Sequence, residues 1–324
     1  MKNDLTLAIC AYNCEKYIEE TLSCILNQTF RAFDLLIIND CSNDSSKKII
    51  EQFFIKNKKA YKLVNFEVNK GLANGRHYVE NNVETKYILF VDADDCPYPT
   101  LVKKLYTKIS NDSDLMAVGC FLEFINSNGD KISGGQYLGD KTKKEFYSRA
   151  KNKKLIFLGS NAIFNRKIAK SVGGRSVKGF FDGKPRYQDL CEDLDLWTRM
   201  SDLYKEDKAI VVIPEVLMKY RKHEQGLSAN SLNMILRMRH IKMNLLRRRE
   251  GKKEQTFINF YNSLTEKEMT DLKQKSKAAD CLRNGAFLLK KGKILSGFSN
   301  ILQSIVAEPE YLWQKIKSNS GLFK

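Results

Sequence analysis

Three aspartates lie within four consecutive positions of the sequence, at Asp92, Asp94 and Asp95. Carboxylates this close repel one another unless a cation or several hydrogen-bond donors neutralise them. A hard divalent ion such as Mg²⁺ or Mn²⁺, held by one or two carboxylates, keeps coordination positions open for the phosphates of a nucleotide. The alternative is an acidic turn that caps the next helix. The cluster therefore predicts either a metal-assisted phosphate site or a helix cap.

The segments before this cluster alternate between strand and helix patterns, which predicts a mainly parallel sheet covered by helices. Residues 5–11, 35–38 and 87–91 are apolar runs typical of strands buried on both faces, and residues 62–66 form a further predicted strand. The run at 87–91 leads directly into Asp92. Because ligands of open α/β sheets bind beyond the carboxyl ends of the strands, we expect the three carboxylates to face a ligand.

After residue 95 the pattern changes. Asn128-Gly129 lies between apolar segments and is a strong short-range signal for a β-hairpin, so the second part of the sheet is predicted to be antiparallel or mixed. Two further strands are predicted at residues 155–164 and 209–213, the second one stopped by Pro214, and a helix is predicted at residues 194–203. Beyond residue 228 the pattern is helical throughout.

Six short segments in a fixed order between residues 4 and 228 carry a resemblance to a known family. They are residues 9–13 (ICAYN), 23–30 (SCILNQTF), 38–44 (INDCSND), 69–72 (NKGL), 92–95 (DADD) and 191–193 (CED). Together they resemble the inverting family 2 glycosyltransferases of GT-A fold. The resemblance implies an α/β nucleotide-diphospho-sugar transferase fold with a mixed, mainly parallel central sheet and a helical C-terminal extension.

This resemblance also implies an activity and a domain organisation. We expect a GT-A catalytic domain at residues 1–228, with a nucleotide-binding half (1–95) and an acceptor-binding half (96–228), and a basic amphipathic helical extension at 229–324. The enzyme would move a sugar with inversion from a nucleotide-diphosphate donor, a UDP-sugar, to an acceptor hydroxyl, with Mn²⁺ or Mg²⁺ as cofactor. The acceptor would be a glycan or a lipid-linked molecule in the synthesis of cell-surface polysaccharide or glycolipid.

The donor-binding residues that the resemblance implies are Ala11, Tyr12 and Asn13 at the nucleotide, Asp40 at the imide of a uracil-like base, Arg76 at the nucleotide, and Asp92 with Ala93 at the ribose or sugar. A carboxylate can accept the N–H of such a base, although Asp40 could equally cap the helix that follows it. The family often has Asp at the preceding position, where this chain has Asn39. Arg76 suits phosphate or base oxygens, whereas a lone helical arginine is usually solvated.

The resemblance assigns the metal to Asp94, leaves Asp95 to support the turn, and makes Asp193 the general base that takes the proton of the acceptor hydroxyl. Glu192 and Asp193 open a predicted helix, where acids also occur simply because they interact favourably with the helix dipole. His223, in a Tyr-Arg-Lys-His segment, is a second candidate for contact with the metal or the phosphates, with a purely structural role as its alternative.

The net charge of +17 is concentrated at the C-terminus, where residues 230–324 contain 19 Lys and Arg against 8 Asp and Glu. Two basic amphipathic helices are predicted there, at residues 234–249 and 287–302, and each could lie on an anionic membrane or pack on the catalytic domain. Without an apolar run of membrane-spanning length or a leader pattern, we expect a cytoplasmic protein, peripheral on the inner face of the membrane, with its eight cysteines reduced.

Two other activities compete with this prediction. A sugar-nucleotide nucleotidyltransferase would require a glycine-rich basic loop after the first strand, and residues 12–16 (YNCEK) have no glycine. A nucleic-acid-binding protein could use the basic tail, but aromatic residues are not interleaved with its cations, so no nucleic-acid partner is expected.

Overall fold

The computed structural model describes residues 3–159, 161–222, 231–290 and 292–310. Within these residues nine strands form one sheet: β1 (Leu5–Ala11), β2 (Asp34–Asn39), β3 (Lys62–Asn65), β4 (Tyr87–Phe90), β5 (Cys96–Pro97), β6 (Leu115–Ile125), β7 (Lys131–Gln136), β8 (Ile163–Asn165) and β9 (Ala209–Arg221). Their spatial order is β3-β2-β1-β4-β8-β6-β9-β5, with β7 paired to β6.

The same described residues contain eleven α-helices. They are α1 (Ile18–Leu26), α2 (Ser46–Asn57), α3 (Leu72–Asn82), α4 (Leu101–Ser110), α5 (Lys143–Lys151), α6 (Arg166–Ser171), α7 (Glu192–Met200), α8 (Ser231–Arg249), α9 (Phe257–Asn262), α10 (Glu266–Lys290) and α11 (Ile294–Ala307). The predicted helix at 194–203 corresponds to α7, and the predicted helical character beyond residue 228 is confirmed for the described residues.

The first four strands in the spatial order are parallel, as the apolar runs predict. Ala11 is paired with Asn39, and Ala8 with Phe90, so β1, β2 and β4 end at the same edge of the sheet. Most side chains of these strands are buried, which explains why the runs are continuously apolar rather than alternating. The predicted fold class, a mixed α/β sheet with helices, is confirmed.

The second half of the sheet contains both strand directions. The predicted hairpin is confirmed, since β6 and β7 pair antiparallel on either side of Asn128-Gly129. The strand predicted at 155–164 is largely wrong, because only its end forms β8. Ile156 and Leu158 are buried outside any strand, and Leu158 fills the space over Gly119, where a Cβ would lie 2.4 Å from its Cδ1. Their apolar character therefore reflects burial without ladder hydrogen bonds.

The prediction that Pro214 stops a strand is also wrong. β9 continues through Pro214 to Arg221, and its pairing with β6 shifts so that Ile213 faces Cys120 and Val216 faces Phe121. The two intervening residues form an irregularity in the ladder. The strand can therefore continue past Pro214, although proline has no N–H to donate to the neighbouring strand. The continued strand brings Arg221 back to the carboxyl edge of the sheet.

Contacts between Cα atoms group the chain into two compact units. The first comprises Met1–Lys178, Cys191–Gly226 and Ile241–Glu254, and the second comprises Gly179–Leu190, Leu227–His240 and Gln255–Lys324. All nine strands described above fall in the first unit, and α8 contributes residues to both. The domain boundary after residue 228 stays a prediction.

In the second unit, α10 and α11 approach each other closely. A Cβ on Gly285 would lie 2.9 Å from the carbonyl oxygen of Gly297, and Ser304 Oγ donates to the carbonyl oxygen of Ala278 at 2.7 Å. One face of α11 remains exposed and strongly apolar: Ile294, Leu295, Phe298, Leu302, Ile305 and Val306. No helix in the described part of the chain is long and apolar enough to cross a membrane.

One expectation about the cysteines is wrong. Cys24 of α1 and Cys96 of β5 form a disulfide with their Cα atoms 5.6 Å apart, whereas the other six cysteines are free. The two residues are 72 positions apart in sequence, and the fold brings α1 against β5, so no local spacing could indicate the pair. The disulfide attaches α1 to the residue that follows Asp95.

Candidate active site

The loop after β1 is joined to the loop after β2 by hydrogen bonds. Asn13 N–H donates to Ser42 Oγ at 3.1 Å, and Asn13 Oδ1 accepts from the N–H of Asn43 at 3.0 Å. Asn13 has a left-handed backbone with φ 47°, which asparagine tolerates better than most residues. Ala11 is buried at the end of β1, while the ring of Tyr12 is about half exposed at the carboxyl edge. An exposed aromatic ring there can stack on a nucleobase.

Asp40 follows β2 and is buried. Its Oδ1 accepts from the N–H of Lys70 at 2.7 Å, and its Oδ2 accepts from the N–H of Gly71 at 2.8 Å and the side-chain amide of Asn69 at 3.1 Å. The carboxylate therefore holds the loop before α3 and does not cap α2, which begins at Ser46. An ionised carboxylate has about four acceptor positions, so these three hydrogen bonds leave room for one further donor.

The acidic turn after β4 is fixed mainly through Asp95. Its Oδ1 accepts from Arg221 N–H at 2.9 Å, and its Oδ2 accepts from Asn161 Nδ2 at 2.9 Å. Burial raises the pKa of Asp95 well above its ordinary value, and the nearby carboxylates of Asp92 and Asp94 raise it further. Arg221 also donates from Nε to the carbonyl oxygen of Asp94 at 2.8 Å. These contacts support the turn and leave the side chains of Asp92 and Asp94 partly exposed.

Arg221 and Asn161 were missed by sequence reasoning. Arg221 belongs to the Tyr-Arg-Lys-His segment in which His223 was predicted as a site residue, and this position in the segment could have indicated it. Asn161 has no such signal, because its partner Asp95 is 66 residues away in sequence. His223 itself lies outside the described residues, and its contact with metal or phosphate stays a prediction.

Arg76 lies on α3 and is only 2% exposed. Its guanidinium pairs with Asp92 through Nη2 and with Glu192 through Nη1, and it lies over the ring of Phe90 at 5.2 Å. Burial alone would lower the pKa of Arg76, but the adjacent Asp92 carboxylate raises it on balance, so the side chain stays charged. The direct nucleotide contact predicted for Arg76 stays a prediction. The structure shows that the buried Arg76 connects the acidic turn at Asp92 with the acidic pair at Glu192.

A second buried arginine, which sequence reasoning also missed, completes this connection. Arg175, in the loop after α6, pairs with Glu192 and with Glu80, whose Oε1 is 2.8 Å from Arg175 Nε. Burial lowers the pKa of Arg175 to about 10, although the Glu80 carboxylate opposes that shift. Both partners are distant in sequence, so no motif announces the contact. Two guanidinium groups therefore meet at the first residue of α7.

The two acids at the start of α7 have different surroundings. Both carboxylate oxygens of Glu192 pair with guanidinium groups, Oε1 with Arg76 and Oε2 with Arg175, and the residue is 3% exposed. Asp193 is partly exposed, and its Oδ1 accepts from the N–H of Leu194 at 2.8 Å. Burial raises the pKa of Asp193, while Arg76 and Arg175 act to lower it. Of the pair, Asp193 is the acid that can accept a proton from a bound molecule.

The residues present fit a divalent ion of the expected kind. Among the residues that the structure describes, no group of three or more His, Cys, Asp and Glu side chains is arranged to hold a metal ion. Mg²⁺ in nucleotide enzymes is commonly held by one or two carboxylates together with phosphates and water, so such a group is not required. The carboxylate of Asp94 is partly exposed at the carboxyl edge, beside Ala93 and Asp92, and would supply an oxygen ligand to such an ion.

Comparison with known proteins assigns the family. The model of glycosyl transferase family 2 matches residues 6–173, more than half of the chain, and the chain therefore belongs to that family. An uncharacterized glycosyltransferase of Haemophilus influenzae is 30% identical over 221 residues, which are 68% of this chain and 65% of that relative, just under two thirds of its length. The predicted enzyme class, a glycosyltransferase, is confirmed.

Solved structures show the same fold at low sequence identity. Staphylococcus aureus TarS 1-349 in complex with UDP-GlcNAc has a TM-score of 0.54 and 18% identity, with 96% of this chain and 92% of that chain covered. The mannosyltransferase PcManGT from Pyrobaculum calidifontis, in complex with GDP-Man and Mn²⁺, has a TM-score of 0.55 and 17% identity, with 97% and 88% covered. These similarities confirm the predicted GT-A architecture.

Proposed function

We propose that this glycosyltransferase transfers a sugar from a UDP-sugar to an acceptor hydroxyl with inversion, in the presence of Mn²⁺ or Mg²⁺. The observation that carries the proposal is the convergence of acids at one edge of the sheet. Asp40 and Asp92 follow strands on either side of β1, and Arg76 connects Asp92 with the residue before Asp193. Donor-binding and proton-accepting groups are thereby joined by one buried side chain.

The donor would lie along the ends of β1, β2 and β4. The exposed ring of Tyr12 offers a stacking surface, and Asp40 retains capacity for the imide N–H of a uracil-like base. Asn13 would bound the nucleotide, and Asp92 and Ala93 would lie at the ribose or sugar. Two structural neighbours that bind UDP-GlcNAc and GDP-Man support a nucleotide sugar as donor.

Asp193 would accept the proton of the acceptor hydroxyl as its oxygen attacks the anomeric carbon. A divalent ion at Asp94 would neutralise charge on the departing diphosphate. In a single displacement the base and the leaving group are on opposite sides of the sugar, so the configuration inverts. No nucleophilic side chain is needed, and Glu192 stays paired with its two arginines.

The test is a panel of UDP-, GDP- and CDP-sugars, measured by thermal unfolding with and without Mn²⁺. A ligand that binds only the folded protein raises its apparent Tm, and at a hundred times its Kd contributes about 2.7 kcal/mol. We expect a UDP-sugar to raise the Tm only when Mn²⁺ is present, and to release UDP on incubation. No stabilisation and no nucleotide release across the whole panel would contradict the proposal.

We further propose that the enzyme acts on the inner, cytoplasmic face of the membrane, on a glycan or lipid-linked acceptor. The observation is the apolar face of α11, where Leu295 is 88% and Val306 is 84% exposed. Lys277 of α10 lines the same surface groove as Leu302 and Val306, so cationic and apolar groups lie together. This combination suits an anionic bilayer surface.

The helix α8 does not share this character, although it contains six Lys and Arg residues. In the second unit, Arg237 is buried with its guanidinium over Phe180 at 4.7 Å and Phe257 at 5.5 Å. In the first unit, Arg248 and Arg249 both pair with Asp202 at 2.5 Å. The basic residues of α8 are therefore occupied within the protein, and the proposed membrane contact is restricted to α11.

A further inference from the structure

Two arginines and two glutamates are linked by three buried ion pairs beside the candidate active site. Arg76 pairs with Glu192, Glu192 with Arg175, and Arg175 with Glu80. The N–H of Arg175 also donates to Glu80 Oε2 at 3.1 Å. Arg76 and Glu80 are four residues apart on α3 and therefore lie on the same face of that helix. We call these four residues the ion-pair network; Asp92 is attached to it through Arg76.

The ion-pair network is unusual because all four of its members are almost completely removed from solvent. Buried ion pairs often stabilise a protein no more than well-packed apolar residues of similar volume would, since desolvation of the charges offsets their attraction. Both guanidinium groups also lie over the ring of Phe90, at 5.2 Å and 5.0 Å. Stability alone thus gives little reason for four buried charges next to Asp193.

We propose that the ion-pair network positions Asp193 relative to the donor site, and that Arg175 is a positioning residue that contacts neither donor nor acceptor. Glu192 is the first residue of α7, and it is held from two sides by Arg76 and Arg175. Asp193 follows Glu192 directly, so the ion-pair network fixes the start of the helix that carries the proposed base. This inference rests on the proposed function, in which Asp193 accepts the acceptor's proton.

The charged groups that act on Asp193 determine its response to substitution. Burial raises the pKa of Asp193, Arg76 and Arg175 lower it, and Asp92 raises it. Loss of the Arg175 charge should therefore raise that pKa further. Because the base must be deprotonated to work, the loss of activity on the acid side would then begin at a higher pH.

The test compares Arg175→Gln with the full-length wild-type protein in two measurements. The first is the ¹³C titration of the Asp193 carboxyl by NMR, assigned by its absence in Asp193→Asn. The second is UDP release from UDP-N-acetylglucosamine with Mn²⁺ and water as acceptor. We expect the titration to move to higher pH and kcat to fall about 10- to 100-fold, the range caused by small displacements of reacting groups. Calorimetry should show unchanged affinity for UDP.

Two further variants separate positioning from general destabilisation. Arg199→Gln removes a buried arginine of α7 that is not part of the ion-pair network. Its Nη2 is 2.9 Å from Asp195 Oδ2. This variant should lower the Tm without moving the Asp193 titration. Arg175→Lys keeps the charge and should return the titration towards that of the wild type, although lysine cannot bridge two carboxylates in the same way.

Glu80→Gln keeps the proposal testable if Arg175→Gln does not fold. It removes a negative charge that neutralises Arg175, so the Asp193 titration should move to lower pH, opposite to the effect of Arg175→Gln. The proposal would be overturned if the Asp193 carboxyl titrated in Arg175→Gln and in Glu80→Gln at the same pH as in Arg199→Gln. The NMR comparison does not require turnover, so wild-type protein without any UDP release would instead count against the proposed function.

Discussion

The sheet-containing unit and the C-terminal helices depart from the usual sorting of residues in opposite directions. The first unit buries charged side chains, among them Arg76, Arg175 and Glu192. The second unit exposes large apolar ones, with Leu295 and Val306 on α11 as the extreme cases. Buried charges and exposed apolar patches are both more informative than an ordinary core or an ordinary polar surface.

The difference indicates where each region acts. The buried charges of the first unit are paired with one another, so their effect is internal and falls on the geometry and electrostatics of Asp92 and Asp193. The apolar face of α11 leaves most of its surface available to another phase or molecule. The predictions below should therefore separate cleanly: changes in the first unit should alter donor binding, chemistry or stability, and changes on α11 should alter only association.

The largest effect is expected from Asp94→Ala, which removes the proposed ligand of the metal. Metal-dependent binding of UDP should be abolished, while the fold remains intact because the side chain is partly exposed. Calorimetric titration of UDP in the presence of Mn²⁺ measures the loss. Asp114→Ala, at a partly exposed aspartate just before β6, is the matched control and should bind UDP normally. Undiminished binding by Asp94→Ala would remove this residue from the metal site.

The next effect is expected from Asp193→Asn. An amide cannot accept the acceptor's proton, and general-base catalysis typically contributes about 10²–10⁴-fold, so transfer should fall by that factor. UDP binding should persist, which calorimetry and a transfer assay together will show. Asp195→Asn, two positions along the same helix, is the control for disturbance of α7. A near wild-type rate for Asp193→Asn would require another base, and Glu192 is a poor substitute because both its oxygens are paired.

A smaller effect, on stability, is expected from the pair Cys24→Ser and Cys96→Ser. The disulfide closes a separation of 72 residues, for which the chain-entropy relation gives at most about 4.5 kcal/mol in the free energy of unfolding. Denaturant unfolding of the oxidised wild type and of the double variant measures the difference, which should disappear in a strong thiol reductant. Cys281→Ser, at a free buried cysteine, keeps the Cys24–Cys96 disulfide and should lose stability in the reductant just as the wild type does. An identical midpoint for oxidised wild type and double variant would contradict a stabilising disulfide.

The sequence predicts best those features that depend on neighbours along the chain. The strands β1, β2 and β4 are recognisable because both of their faces are buried and the runs are continuously apolar. Asn128-Gly129 identifies its hairpin through turn chemistry alone. The failures at Pro214 and at residues 155–159 have a tertiary cause. In one case an irregularity in pairing with β6 absorbs the proline, and in the other Leu158 is buried against a glycine on another strand.

The candidate site shows the same division. Motif resemblance predicts Asp40 and Asp92 as donor-binding residues and Asp193 as the base, but it does not reveal that Asp40 holds the loop at residues 69–71, about 30 residues away. Arg175 is the clearest omission. Its partners Glu80 and Glu192 are distant in sequence, and nothing in a local pattern distinguishes a buried, paired arginine from a solvated one.

The smallest effect on the protein itself is expected from Leu295→Ser combined with Val306→Ser. Both side chains are exposed, so the free energy of unfolding should change by no more than about 0.5 kcal/mol. If α11 inserts its apolar face into a bilayer, the loss of two large apolar groups should weaken binding to anionic vesicles by about 10-fold or more. Co-sedimentation with vesicles rich in an anionic lipid, at low and high salt, measures the change.

The control for that experiment is Ile55→Ser on α2, where the isoleucine is 77% exposed in the first unit. It removes a comparable apolar group from a surface with no proposed membrane role, so vesicle binding should stay at the wild-type level. Binding by the wild type should also fall as salt rises, because charges are screened over a Debye length of about 8–10 Å, whereas the apolar contribution should persist. Equal loss from Ile55→Ser, or no loss from the α11 variant, would show that α11 does not carry the association. The contrast between the two units would then have to be explained by a partner other than a lipid surface.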